Sequence, residues 1–210
     1  DGLVNMSDAA LRAKRQSIFR EQGVIKFVLM LVNDFIPMSK MVDAAASEPG
    51  KKKKGISENM QALNRMTTKI LSNALIVLYE LIKDNAVNQM YVADFMPVLL
   101  AHLNNQPLAG KCVTEMLGNN MELQETKIGT REIGIFVEKL RKSGMNKMYL
   151  ELLQSCCSCQ GKGVDGNQCK VADMVLGDIN DIIVQIHADN SKVGATLWGV
   201  GGLYIPEAPI

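Results

Sequence analysis

Four of the five cysteines in this 210-residue chain fall between Cys156 and Cys169, and Cys156-Cys157-Ser158-Cys159 carries a Cys-x-x-Cys spacing. Zinc needs four ligands in a tetrahedral array, usually as two close pairs on tight turns. Here the second pair is missing: Cys169 stands alone, His187 is further away, and Cys156 sits inside an apolar helical pattern. A thioredoxin-like pair would open a helix after a strand, whereas these cysteines close a helix. An odd, clustered set also fits reduced thiols better than a disulfide framework. Buried thiols are expected, and no metal site.

Gly161-Lys162-Gly163-Val164-Asp165-Gly166 has the letters Gly-x-Gly-x-x-Gly. Nucleotide binding requires that run between a strand and a helix N-terminus, where backbone N–H groups meet the pyrophosphate. A helical pattern precedes it here, so it reads as a turn between helices, and Lys162 lacks the following Ser or Thr of a P-loop. His102 and His187 have neither a serine nucleophile nor a carboxylate partner by spacing. Glu138, Asp173 and Asp178 lie scattered on polar faces. No catalytic set and no cofactor are expected. Arg12, Lys14, Arg15 and Arg20 are the one basic cluster that could clamp phosphates, against the plainer reading of a charged helix face.

The elements that must position these residues are helical. Met is abundant at 13 and aromatics are only 5%, which favours helices packed with flexible aliphatic side chains. Ser7 and Asp8 cap a first helix, Gly23 breaks it, and Val24, Phe27, Val28, Leu31, Val32 and Phe35 mark a second that Pro37 stops. Residues from about 38 to 58, with Lys51 to Lys54 between glycines, read as a surface loop. Helical periodicity then returns: Met60 to Lys83, a helix through Met90 and Leu100 kinked by Pro97, and one from Pro107 to Gly118. A short turn around Met121 to Thr126 leads to Thr130–Ser143, Met145–Ser158 and Gln168 to about Leu176. Residues 179 to 187 are ambiguous between helix and strand, no strand pattern competes before Lys192, and residues 194 to 210 look extended. The expected fold class is all-α, an armadillo-like solenoid or bundle of stacked antiparallel helices over residues 1–190, with 191–210 as a tail belonging to a following domain.

The charge balance, Lys+Arg 23 against Asp+Glu 22, lacks the broad footprint of sequence-independent nucleic-acid binding. No apolar run reaches the roughly 18–20 residues of a membrane span. The opening Asp1-Gly2-Leu3, without initiator Met or signal peptide, reads as an excised piece of something larger.

Several segments together resemble one family. Arg15-Gln16-Ser17-Ile18-Phe19-Arg20-Glu21-Gln22-Gly23-Val24 resembles the opening of the RIH domain of ryanodine and inositol trisphosphate receptors. Leu78-Tyr79-Glu80-Leu81-Ile82, with Asn88-Gln89 beyond, and Ile135 to Lys142 are similar to later helices of that domain. Leu152 to Gly161, followed by Val164 and Asn167-Gln168, is closer to the ryanodine receptor version. The resemblance runs from about Lys14 to Leu176.

It implies an armadillo-like, non-enzymatic domain in the cytosolic part of a tetrameric calcium-release channel of the endoplasmic or sarcoplasmic reticulum. Its partners would be other domains of the same chain and neighbouring subunits, with no nucleic acid and no direct membrane insertion. In inositol trisphosphate receptors the domain also supplies basic residues to the ligand phosphates. The first-helix positions fall here on Ala13, Ser17 and Arg20, so Arg20 alone matches; a second basic cluster falls on Asn85, Ala86 and Val87, and none matches. Strong inositol trisphosphate binding is therefore not expected. A free-standing armadillo-type scaffold in a soluble or cytoskeletal complex is the alternative function.

Overall fold

A computed structural model describes residues 7–36, 58–143, 146–177, 184–188, 192–197 and 204–209. Pro37, the Lys51–Lys54 run and most of the loop expected near 38–58 lie outside the described residues. The chain divides into two compact units, residues 1–123 and 124–210.

The first unit is built around one long helix. Its elements are α1 (Asp8–Glu21), α2 (Val24–Asp34), α3 (Glu58–Ile82), α4 (Ala86–Ala93), α5 (Met96–Ala101) and α6 (Pro107–Asn119). Ser7 starts α1 by accepting from the Ala10 N–H at 3.3 Å. Gly23, at φ +75°, turns the chain into α2, a left-handed conformation that costs a residue with a Cβ about 1–2 kcal/mol. The apolar face of α3 packs against α2 and α6. Ile25, Leu29, Val32, Leu75, Leu78 and Ile82 are fully buried there with Met116 and Leu117, each worth roughly 1.5–3 kcal/mol of burial.

Two expectations need correcting in this unit. Pro97 does not kink one helix; it stands in the first turn of the separate α5, where its missing N–H has no intrahelical partner to lose. The stretch after Asn120 is not a turn but a helix, α7 (Met121–Lys127), because the Asn120 side chain accepts from the Leu123 N–H at 3.0 Å and caps it.

In the second unit α8 (Thr130–Ser143), α9 (Lys147–Cys157) and α10 (Asp165–Gly177) pack against one another. Ile133, Phe136, Tyr149, Leu152 and Cys156 fill their core. Helix α10 begins three residues earlier than the expected Gln168. Between α9 and α10 a two-residue hairpin pairs β1 (Ser158–Cys159) with β2 (Lys162–Gly163). Gln160 and Gly161, at φ +49° and +76°, give the paired positive φ that such tight hairpins require.

The chain continues into an antiparallel sheet of β3 (Val184–Ala188), β4 (Lys192–Leu197) and β5 (Tyr204–Pro209), in that order. Val184 pairs with Leu197 and Ala188 with Val193, so within the described residues Val184 to His187 of the ambiguous segment is strand and regular pairing begins before Lys192. The register of β4 against β5 shifts between Val193 and Ala195. The described residues carry ten helices and few strands, the all-α class expected.

Candidate functional site

Helix α3 ends in a polar corner, and α1 lies against it. Asp84 turns the chain at φ +54°, a conformation Asp tolerates better than most residues, and its N–H donates to Glu115 Oε1 at 3.0 Å. Asn85 then caps α4 by accepting from the Asn88 N–H at 3.0 Å. The end of α3 would otherwise leave its last carbonyls without donors.

Four side-chain N–H donations cover those carbonyls. Gln16 of α1 donates through Nε2 to the carbonyls of Glu80 at 2.7 Å and Lys83 at 2.9 Å. Asn88 Nδ2 reaches the Leu81 carbonyl at 2.7 Å and also the Gln16 carbonyl at 3.3 Å. Gln89 Nε2 donates to the Ile82 carbonyl at 3.0 Å. The circuit closes where Asn85 Nδ2 donates to Gln16 Oε1 at 3.0 Å. Gln16, Asn88 and Gln89 are at most 4% exposed, so their amides are held out of competing water, although Glu80 and Lys83, whose carbonyls Gln16 covers, are themselves exposed and half-buried respectively. Gln89 Oε1 is buried without a hydrogen-bond partner among the described residues.

The electrostatics of the corner follow from the direction of α3. A helix C-terminus carries roughly half a negative charge, which attracts cations and repels anions. Arg12 lies beside it and pairs with Asp84 Oδ2 at 2.8 Å. Arg20 donates through Nη1 to Asn88 Oδ1 at 2.8 Å. Thus the structure does bring together the two regions singled out in sequence, α1 and residues 85–87. What they offer there are two guanidiniums, both already engaged, with Ala13, Ser17, Ala86 and Val87 in place of further cations.

Of the rest of the basic cluster, Lys14 and Arg15 are exposed on α1. His102 is fully buried, and its Nε2–H donates to the Val32 carbonyl at 2.8 Å, tying the end of α5 to α2. Burial holds its pKa below the ordinary 6.5, with the Val32 bond pulling the other way. It is a core histidine. The side chain of His187 lies outside the described residues.

The second unit repeats the capping device at the cysteine-rich end of α9. Gln124 Nε2 donates to the carbonyls of Ser155 at 2.8 Å and Ser158 at 3.2 Å, and its Oε1 accepts from Asn167 Nδ2 at 3.2 Å. Gln168 Nε2 donates to the Cys157 carbonyl at 3.0 Å. Each Asn-Gln step thus opens a helix by covering the end of the one before it. The glycine run lies in this device: Gly161 in the hairpin turn, Gly163 where a Cβ would come within 2.9 Å of Gln168 Nε2, and Gly166 in α10. Its strand is one arm of an antiparallel hairpin, without the parallel strand–helix geometry a dinucleotide needs.

Burial pushes the Cys156 thiol up to about 12, as it does that of Cys112, and raises Cys157 and Cys159 as well. They are neutral thiols at pH 7 and poor nucleophiles or ligands. Among the described residues no group of three or more His, Cys, Asp or Glu is placed to hold a metal ion, and no helix is long and apolar enough to cross a membrane.

Gln16, Asn85 and Gln124 are the structural residues that pattern reading missed, because each acts on carbonyls far away in sequence. The repeated Asn-Gln step was their one visible trace. A family model described as the RIH domain matches residues 2–187. The chain belongs to the RIH domain family of the ryanodine and inositol trisphosphate receptor calcium-release channels.

Proposed function

We propose that this chain is a cytosolic coupling domain of an intracellular calcium-release channel, passing conformational signals through contacts between domains and subunits. We further propose that it is ryanodine-receptor-like and does not bind inositol trisphosphate strongly. The observation that carries this reading is the occupancy of the corner: Arg20 is engaged by Asn88, Arg12 by Asp84, and the nearby α3 carbonyls by Gln16, Asn88 and Gln89. A multiply charged phosphate ester placed there would meet two guanidiniums already engaged and the negative end of α3. Arg20 retains at most a weak anion contact. The neutral thiols and the core histidine agree with a regulatory rather than catalytic role.

The intact protein in its native chain would form a homotetramer with this domain on the cytosolic face of the endoplasmic or sarcoplasmic reticulum. The test is calcium efflux from vesicles carrying that intact protein. Efflux that depends on the protein, and whose gating shifts when Gln16 is replaced by Ala, is the expected result. An intact protein found only in soluble or cytoskeletal fractions, with no flux, would favour the scaffold reading instead.

A further inference from the structure

The face of the first unit beside the corner carries apolar side chains that nothing in the described chain covers. Between α1 and α3 lies an open groove of about 350 Å³ whose floor is Phe19, Val24, Ile76 and Val77. Its walls are overwhelmingly apolar, and Arg12, already paired with Asp84, Arg15 and Glu80 are its charged lining residues. Phe19, Ile76 and Val77 are each close to half exposed.

The apolar strip does not end with the groove. Met66, Ile70 and Val77 sit at i, i+4 and i+11 on α3, within about 40° of one another around the helix. All three are exposed, Met66 to 64%. Scattered exposed apolar residues are ordinary, but a strip along one helix face, interrupted only by exposed Asn73 between Ile70 and Val77 and running into a groove, marks a contact surface. Its length, eleven residues at about 1.5 Å each, is roughly 16 Å, or three helical turns of a partner.

Charge decides what kind of partner fits. Arg15 on α1 and Arg65 and Lys69 on α3 are exposed, and none has an ion-pair partner among the described residues. Lys69 and Arg65 lie along one side of the strip on α3, and Arg15 lines the groove. Against these three cations, the described residues lining the groove offer the single carboxylate of Glu80. A second copy of this face would bring like charges together, whereas acidic flanks on an apolar helix would be neutralised.

We propose that this strip and groove receive an amphipathic helix of a partner protein, apolar at i, i+3 or i+4, and i+7, with Asp or Glu on its flanks. The site needs nothing from the channel assignment, since it uses only α1 and α3, and it can be assayed on the isolated 210-residue chain.

The probe is a fluorescent 18-residue peptide with Leu at those positions and Glu on both flanks, followed by anisotropy. Saturable binding that falls at least tenfold in Met66→Asp and in the Arg15→Glu/Lys69→Glu double variant, and weakens with salt, is the expected result. Val87→Asp, on an exposed apolar residue of α4 outside the strip, should bind as the parent does, and circular dichroism confirms that each variant is folded. A scrambled peptide binding equally well, or a Lys-flanked peptide binding more tightly, would overturn the proposal. So would a dimer of the chain that Met66→Asp dissociates, or binding to phosphatidylserine vesicles, but not to the peptide, that the same variants abolish.

Discussion

Replacing Gln16 by Ala tests the clamp where its geometry is most exacting. The substitution removes both donations from Gln16 Nε2, to the carbonyls of Glu80 and Lys83, and the acceptor for Asn85 Nδ2. Asn85 is buried, so its amide is left unsatisfied at a cost of about 1–3 kcal/mol. The two carbonyls lie nearer solvent and regain water, so each costs about 0.5–1.5 kcal/mol. Releasing the immobilised Gln side chain returns up to about 2 kcal/mol of rotamer entropy, and Ala gains a few tenths in helix propensity. The net loss is about 2–3 kcal/mol. For a chain of this size, at about 2–4 °C per kcal/mol, Tm falls by roughly 4–12 °C. The assay is thermal unfolding followed by far-ultraviolet circular dichroism. Lys14→Ala, on an exposed neighbour of the same helix, should stay within about 0.5 kcal/mol of the parent. Gln16→Glu should be worse than Ala at neutral pH, because a carboxylate would face two carbonyls, and should recover in mild acid as protonation restores one donor. A Gln16→Ala melt indistinguishable from that of Lys14→Ala would refute the clamp.

Phe136→Ala should cost about 3–5 kcal/mol by emptying the core of the second unit, read as a lower urea midpoint. His102 has a folded pKa below its unfolded value, so the unfolded chain binds the extra proton first; stability is full above about 6.5 and falls as pH drops below it, which urea melts across that range would record. Disulfide-exchange labelling of the native chain should modify exposed Cys169 first, while Cys112 and Cys156 react only on the timescale of unfolding.

Much of the helical architecture was legible because it is written in local periodicity. The 3.6-residue spacing of Leu71, Leu75, Leu78 and Ile82 needs no knowledge of what covers them. Caps were harder. Asn120 reads equally well as a stop or a start, and only its bond to the Leu123 N–H decides. Pro97 reads as a kink until the preceding helix is seen to have ended at Ala93. The strands were ambiguous because β3 is five residues long and its pairing with β4 is a tertiary fact. At the corner, the apposition of α1 with residues 85–87 was implied by resemblance, and Arg20 does lie there. The clamp was not legible, because Gln16 acts on carbonyls 64 and 67 residues away, and no local pattern reports which helix end a buried amide will meet.

The central claim is that this corner is a structural clamp whose cations and amides are engaged within the domain, in place of a phosphate cradle. Titration calorimetry of inositol trisphosphate into the 210-residue chain at low ionic strength tests it most directly, since weak salt screening favours any anion site present. The account predicts no saturable heat at micromolar ligand. Saturable binding at micromolar affinity or tighter, lost in Arg20→Ala, would contradict it.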